Sequence, residues 1–286
     1  MTLLDQKMRT DIQERLTNCP TITSAEFISA AVINGVSTKG LPSYFFGDRE
    51  ATTVVINLNP GESAEICDNE WSCRTEGFGK SIDGFIEKYI ERQRLYGLKH
   101  GVTKKGKADS FDVKQAAFLT SWEDSGIGLS KDPDWKSEDY RMEAKTKVIC
   151  NKLQLELVPY ASSKFDINTK EIARFRPYVD VLLDEIFSKE RRYIIFQSAK
   201  FESIFKDYNE EYPGTFDLSN ELCFSGKLKN DGKLQGRCRV IKINYNGNTC
   251  KALIAHTFPN LGLSKAYATM QKYGEFCYNT YKKETK

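Results

Sequence analysis

The 286-residue sequence predicts an α/β fold: a three-layer αβα sandwich around a central, mainly parallel, four-stranded sheet. Three observations predict it. Four short apolar runs have the near-continuous hydrophobicity of strands buried on both faces. Stretches with helical spacing separate them, the alternation that builds parallel sheets. Three of the runs end on chemically distinctive residues, as expected where ligand sites form beyond the carboxyl ends of the strands.

The elements follow in order. Leu4, Met8, Ile12 and Leu16 recur every four residues, and Asn18-Cys19-Pro20 stops the pattern, which predicts an N-terminal helix over about residues 1–20. A loop rich in Gly, Ser and aromatics runs on to Gly47. Ala51–Leu58 (ATTVVINL) is the first strand, ended by the turn that Asn59-Pro60-Gly61 forces. Residues of about 80–145 are mostly helical in pattern, with a charged interruption from Lys99 to Lys107. Leu153–Pro159 alternates as a second strand. Asn168 and Glu171 have capping-box spacing, and Ile172, Phe175, Val179, Leu182 and Ile186 line one face of a helix that Pro177 kinks or restarts. Tyr193–Phe196 (YIIF) is the third strand. Residues of about 212–250 read as an inserted hairpin region, and Lys251–His256 is the fourth strand. Ser264 caps a last helix whose apolar face carries Tyr267, Met270, Phe276, Cys277 and Tyr281. The length suits one elaborated domain, residues 1–286, with segments 80–145 and 212–250 as insertions.

Composition narrows the function classes. Forty-two basic and 39 acidic residues nearly balance at +3, so any basic surface must be local. One such place is Lys99, His100, Lys104, Lys105 and Lys107, either a solvated loop or a track for a nucleic-acid backbone. Eight cysteines without a CxxC pair, beside only two histidines, give poor support to a zinc or iron–sulfur site, although Cys67 and Cys73 are close in sequence. Reduced, mostly buried thiols are the expectation. No run approaches the ~18 apolar residues of a membrane span, which predicts a soluble intracellular protein, cytoplasmic or nucleoid-associated. No GxGxxG or GxxxxGK[ST] opens a helix, and the nucleophile elbow G-x-S-x-G is absent.

The strand ends carry a resemblance. Ile56-Asn57-Leu58-Asn59-Pro60-Gly61 resembles the first motif of the uracil-DNA glycosylase superfamily, which reads G-x-N-P-G in the mismatch-specific and single-strand-selective branches; Asn57 stands where those branches have Gly. Leu157-Val158-Pro159 resembles the family's middle strand, which often ends N-L-x-P, with Glu156 in the Asn place. His256-Thr257-Phe258-Pro259 resembles the second motif, H-P-S-P, keeping the His and the second Pro. The pieces span most of residues 40–280 in the family's order; the N-terminal helix, the charged stretch and the hairpin region lie outside the resemblance.

The resemblance implies a sheet of uracil-DNA glycosylase type and a monofunctional DNA N-glycosylase. It needs no metal, no cofactor and no obligatory protein partner. Its substrate is a flipped nucleotide in duplex or single-stranded DNA. By resemblance, Asn59 positions the attacking water and His256 donates to the base oxygen as charge develops, with Pro60 and Gly61 shaping the turn that meets the DNA. The loop Pro259, Asn260, Leu261 and Leu263 then supplies the wedge: Leu261 first, Leu263 second. Ser264 and the start of the last helix can take a phosphate. Phe78 matches the family's stacking Phe in position, with Trp71 as the rival floor. No Lys sits in either motif, so a Schiff-base mechanism is not suggested.

Glu156 is the most informative departure. An ionised carboxylate only accepts hydrogen bonds, whereas uracil presents a donor flanked by two acceptors; the N4 amino group of cytosine suits a carboxylate better. The expected substrate is therefore uracil or a modified pyrimidine, with a cytosine derivative favoured, in repair or in restriction of foreign DNA. Each motif also has an ordinary structural reading: a turn, a packed His, a paired carboxylate, core aromatics. A non-catalytic DNA-binding module on the same fold is the competing expectation.

Overall fold

The computed structural model describes residues 1–18, 42–58, 83–84, 86–91, 93, 110–160, 169–227, 235–256 and 263–284. Helix α1 (Leu3–Asn18) precedes strands β1 (Phe45–Gly47) and β2 (Thr53–Asn57). Helices α2 (Ser110–Leu119) and α3 (Glu138–Asn151) lead to β3 (Leu153–Glu156). A 3-10 helix (Thr169–Phe175) opens α4 (Arg176–Phe187), followed by β4 (Tyr193–Phe196) and α5 (Phe201–Glu211). Strands β5 (Phe216–Asp217), β6 (Cys223–Lys227), β7 (Gln235–Tyr245) and β8 (Asn248–Ala255) precede the last helix, α6 (Leu263–Lys283). The chain divides into two compact units, the first made of Met1–Phe46, Ile56–Arg94 and Gln154–Lys189, the second of Gly47–Val55, Leu95–Leu153 and Glu190–Lys286.

In the first unit, α1 uses the stripe read from the sequence: Leu4, Met8 and Ile12 are fully buried. It packs on α4, and Leu3 N donates to Asp184 Oδ2 at 2.6 Å, which ties an orphan N–H of the α1 terminus to a carboxylate. Pro177 falls in the first turn of α4, where a missing N–H costs nothing, so it marks a restart after the 3-10 turn. The ends of β2 and β3 run parallel: Leu157 N donates to Asn57 O and Val158 N to Leu58 O, both at 2.9 Å. Ser43 N to Pro159 O and Glu156 N to Tyr44 O run the other way, so the segment leading into β1 is an antiparallel edge.

In the second unit, the start of β2 meets the start of β4, where Arg192 N and Tyr193 N both donate to Thr52 O. Strands β4 and β8 pair in parallel, and β7 pairs antiparallel with β8, β5 and β6. Helices cover both faces. Val55, Ile195, Leu253, Ala255, Cys238 and Val240 form one core with Phe118 of α2, Val148 of α3 and Tyr273, Cys277 and Tyr281 of α6. Phe196 points to the opposite face, as strand alternation requires, and meets Phe201 and Phe205 of α5 with ring centroids 5.0 and 4.8 Å away. Helix α6 buries Tyr267, Met270, Cys277 and Tyr281 and packs Phe276 against the core, as its sequence pattern predicts.

The mixed α/β class with a mostly parallel centre holds, but the expected four-stranded sheet is corrected to eight strands among the described residues. Strands β2, β3, β4 and β8 match the four apolar runs. The hairpin region joins the same sheet, because Asn246 and Gly247 both adopt left-handed φ angles (49° and 77°) and fold β7 back along the whole of β8. Two further corrections concern smaller features. Helix α6 begins at Leu263, so Ser264 stands inside its first turn instead of capping it. Of the described thiols, only Cys238 and Cys277 are buried; Cys223 and Cys250 are intermediate and Cys150 is exposed. Among the described residues, no helix is long and apolar enough to cross a membrane.

Candidate functional site

Glu156 ends β3, and its side chain is buried, with 2% of the residue exposed. Two features of local sequence hold it. Gln154 lies two residues earlier, hence on the same face of the strand, and donates from Nε2 to Glu156 Oε1 at 2.7 Å. Asn57 ends the adjacent parallel strand β2 and donates from Nδ2 to the same oxygen at 3.2 Å. A carboxylate oxygen that accepts two amide donors is fixed in orientation. Asn57, which departs from the Gly of the first motif, therefore has a physical role, since only a residue with a side-chain donor can span the two strand ends.

A second polar cluster braces the same strand end. Asp11 on α1 is buried; its Oδ2 accepts from Tyr44 Oη at 2.5 Å and from Tyr160 Oη at 3.2 Å, while its Oδ1 pairs with Lys7 Nζ at 2.6 Å. Tyr44 O in turn accepts from Glu156 N. The N-terminal helix, outside the family resemblance, thus supports the strand that carries Glu156.

Burial, followed by the nearby Asp11, pushes the Tyr44 phenol well above its ordinary range. Burial, with Asp11 second, also raises Tyr178. Burial raises Tyr273 too, with Cys277 next. The native state holds these protons more tightly than the unfolded chain. The resulting stability is complete below the ordinary phenol pKa of ~10 and is lost as pH rises above it. We expect the unfolding free energy to fall above about pH 10 by about 1.4 kcal/mol per pH unit for each such phenol, seen as a falling unfolding temperature. Exposed tyrosines such as Tyr212 ionise first, and the phenolate absorbance of Tyr44, Tyr178 and Tyr273 should appear only as a later step together with unfolding; reversible titration of these three phenols in the folded protein would contradict this.

In the second unit, His256 follows β8 directly and is half-buried. Its backbone N–H donates to Tyr273 Oη at 2.7 Å, and Tyr273 Oη donates to Arg237 O at 2.5 Å. Helix α6 thereby pins the strand end that presents His256. Leu263 and Ser264 open α6. Asn59, Pro60, Gly61, Phe78, Trp71, Pro259, Asn260 and Leu261 lie outside the described residues, as do Lys99, His100, Lys104, Lys105, Lys107, Cys67 and Cys73 and the capping residue Asn168. Among the described residues, no group of three or more His, Cys, Asp or Glu side chains could hold a metal ion.

Of the predicted residues, Glu156 and His256 each stand at a strand end, Glu156 in the first unit and His256 in the second. The sequence reading missed Asn57 and Gln154 as partners of Glu156. The spacing of Gln154 and Glu156 was a usable signal; the reach of Asn57 across to β3 was not, because it depends on register. Comparison of the chain with models of protein families, with curated proteins and with solved structures returns no match.

Proposed function

We infer that the protein is a monofunctional DNA glycosylase that hydrolyses the N-glycosidic bond of a modified pyrimidine, with a cytosine derivative favoured over uracil. The observation that carries this reading is Glu156: a buried carboxylate at the carboxyl end of β3, an interior strand, oriented by Asn57 and Gln154. Such strand ends are where α/β sheets bind ligands, and an oriented acceptor suits the exocyclic amino group of cytosine. The motif resemblance adds Asn59 as the residue that positions water and His256 as the donor to the departing base. An Asn is no strong base, so catalysis on this reading rests on placement and electrostatics. DNA is the partner, and the chemistry requires no metal or cofactor. The reaction consumes one water and yields a free base and an abasic sugar.

The test uses duplex and single-stranded oligonucleotides carrying uracil, cytosine or 5-substituted cytosines, incubated with the protein and then treated with alkali to break abasic sites. Breaks are expected at a modified cytosine. His256→Ala should slow them about 100–1,000-fold, the typical loss of one donor to a developing oxyanion. Tight DNA binding with no breaks at any base would replace this reading with the non-catalytic module.

A further inference from the structure

A buried chain of hydrogen bonds in the second unit leads from a lysine to the end of β4. Lys152, Gln115 and Gln197 are 2%, 1% and 4% exposed. Lys152 caps α3 at its C-terminus, Gln115 lies on α2, and Gln197 follows Phe196, the last residue of β4. Lys152 Nζ pairs with Asp112 Oδ1 at 3.5 Å and also donates to Gln115 Oε1. Gln115 Nε2 donates to Gln197 Oε1 at 3.1 Å.

The direction of this chain is forced. An ammonium group only donates, so the Gln115 atom it meets must be the carbonyl oxygen. Gln115 then turns its NH2 to Gln197, which must answer with its own carbonyl oxygen. Flipping either amide would set two donors or two acceptors face to face. What remains at the end of the chain is the NH2 group of Gln197, and this buried Nε2 has no hydrogen-bond partner in the protein among the described residues. An unanswered buried donor costs about 1–3 kcal/mol, which a ligand acceptor would recover.

Its place in the sheet says which acceptor. Strands β4 and β8 are parallel neighbours, with Ile195 opposite Leu253 and Phe196 opposite Ile254. Continued by two residues, that register sets Gln197 beside Ala255 and Ser198 beside His256. The donor therefore sits at the same sheet edge as His256. A neutral amide in a buried setting suits a neutral carbonyl oxygen. A phosphate calls for a cation or several converging N–H donors, whereas Gln197 offers one amide and the charge of Lys152 is already directed at Asp112 and Gln115.

We propose that Gln197 is a specificity-determining residue that donates its side-chain N–H to a carbonyl oxygen of the bound pyrimidine, with Lys152 fixing its orientation through Gln115. This rests on the glycosylase reading, in which His256 stands at the end of the neighbouring strand β8, and it predicts that a base lacking that carbonyl is a poor substrate.

The experiment follows the side-chain amide resonances of Gln197 in the full chain by NMR, assigned by their loss in Gln197→Met, while free cytosine, uracil or inorganic phosphate is added. A saturable shift with a pyrimidine and none with phosphate is expected. Base affinity should fall about 10-fold in Gln197→Met, the worth of one net hydrogen bond. It should fall at least as far in Gln197→Glu, which turns an acceptor toward an acceptor. The wild-type titration stands even if a variant fails to fold. A shift with phosphate alone, or base affinity that is unchanged or higher in folded Gln197→Glu, overturns the proposal. A base that shifts Gln197 although no oligonucleotide loses a base supports the binding site and removes the glycosylase. Base release with the Gln197 resonances unmoved does the reverse.

Discussion

Glu156→Gln is expected to leave the protein folded and to reverse its base preference, lowering excision of a modified cytosine at least about 10-fold and raising that of uracil. The side-chain carbonyl of the new residue can still accept from Gln154 Nε2 and Asn57 Nδ2, so these two hydrogen bonds survive. What changes is the other terminal atom, an oxygen acceptor that becomes an NH2 donor. A donor repels the N4 amino group of cytosine and suits the O4 carbonyl of uracil. Glu156→Ala separates structure from recognition: it leaves two amide donors without an acceptor, and the loss is expected to be about 2–3 kcal/mol of stability. Denaturant unfolding of both variants, beside single-turnover excision of the two bases, reads out both effects. Efficient uracil release by the wild type that survives Glu156→Gln would remove base reading from Glu156.

Gly274→Ala tests the packing of the second unit. Gly274 lies on α6 where that helix crosses α2, and a Cβ built there would stand 1.8 Å from Phe118 O and 2.6 Å from Phe118 C. Both atoms are backbone, so no rotamer change relieves the contact and the helices must part. Parting them opens the core in which Phe118 meets Trp122 and Tyr273, with ring centroids 5.7 and 5.5 Å away. Alanine gains about 1 kcal/mol in helix propensity. Overpacking costs typically about 1–3 kcal/mol and more where backbone is displaced. The expected net effect is a loss of about 2 kcal/mol or more, seen as a drop of several degrees in Tm. The consequence reaches the site, because Tyr273, one residue before Gly274, anchors the backbone of His256. A Tm that rises, as propensity alone dictates, would contradict this account of the helix crossing.

The parts of the fold legible in the sequence are those set by local periodicity and burial. Tyr193–Phe196 is a strand over the residues read from its apolar run, since four consecutive large apolar residues fit a strand covered on both faces. The four-residue stripe of α1 and the apolar face of α6 are equally local. What was not legible depends on pairing between distant segments. The alternation of Arg239–Tyr245 announces a strand but not its partner; the Asn246-Gly247 turn decides that, by laying β7 along β8 and enlarging the sheet. The site divides the same way. Glu156 stood out because a carboxylate at that strand end changes what a base would meet. Asn57 was visible only as a departure from a motif, because its bond to Glu156 joins residues 99 positions apart. Gln115 and Gln197, 82 positions apart, carried no sequence signal, since an unremarkable amide acquires a direction only from the lysine behind it.

Release of the free base by the wild type and by Asn59→Ala, identified by mass spectrometry after incubation with oligonucleotides carrying uracil or 5-substituted cytosines, tests the central claim most directly. The glycosylase reading predicts a free modified cytosine in the wild-type reaction and release at least about 100-fold slower in Asn59→Ala, because the attacking water loses its positioning group. Intact oligonucleotides in every wild-type reaction, or release unaffected by Asn59→Ala, would contradict it.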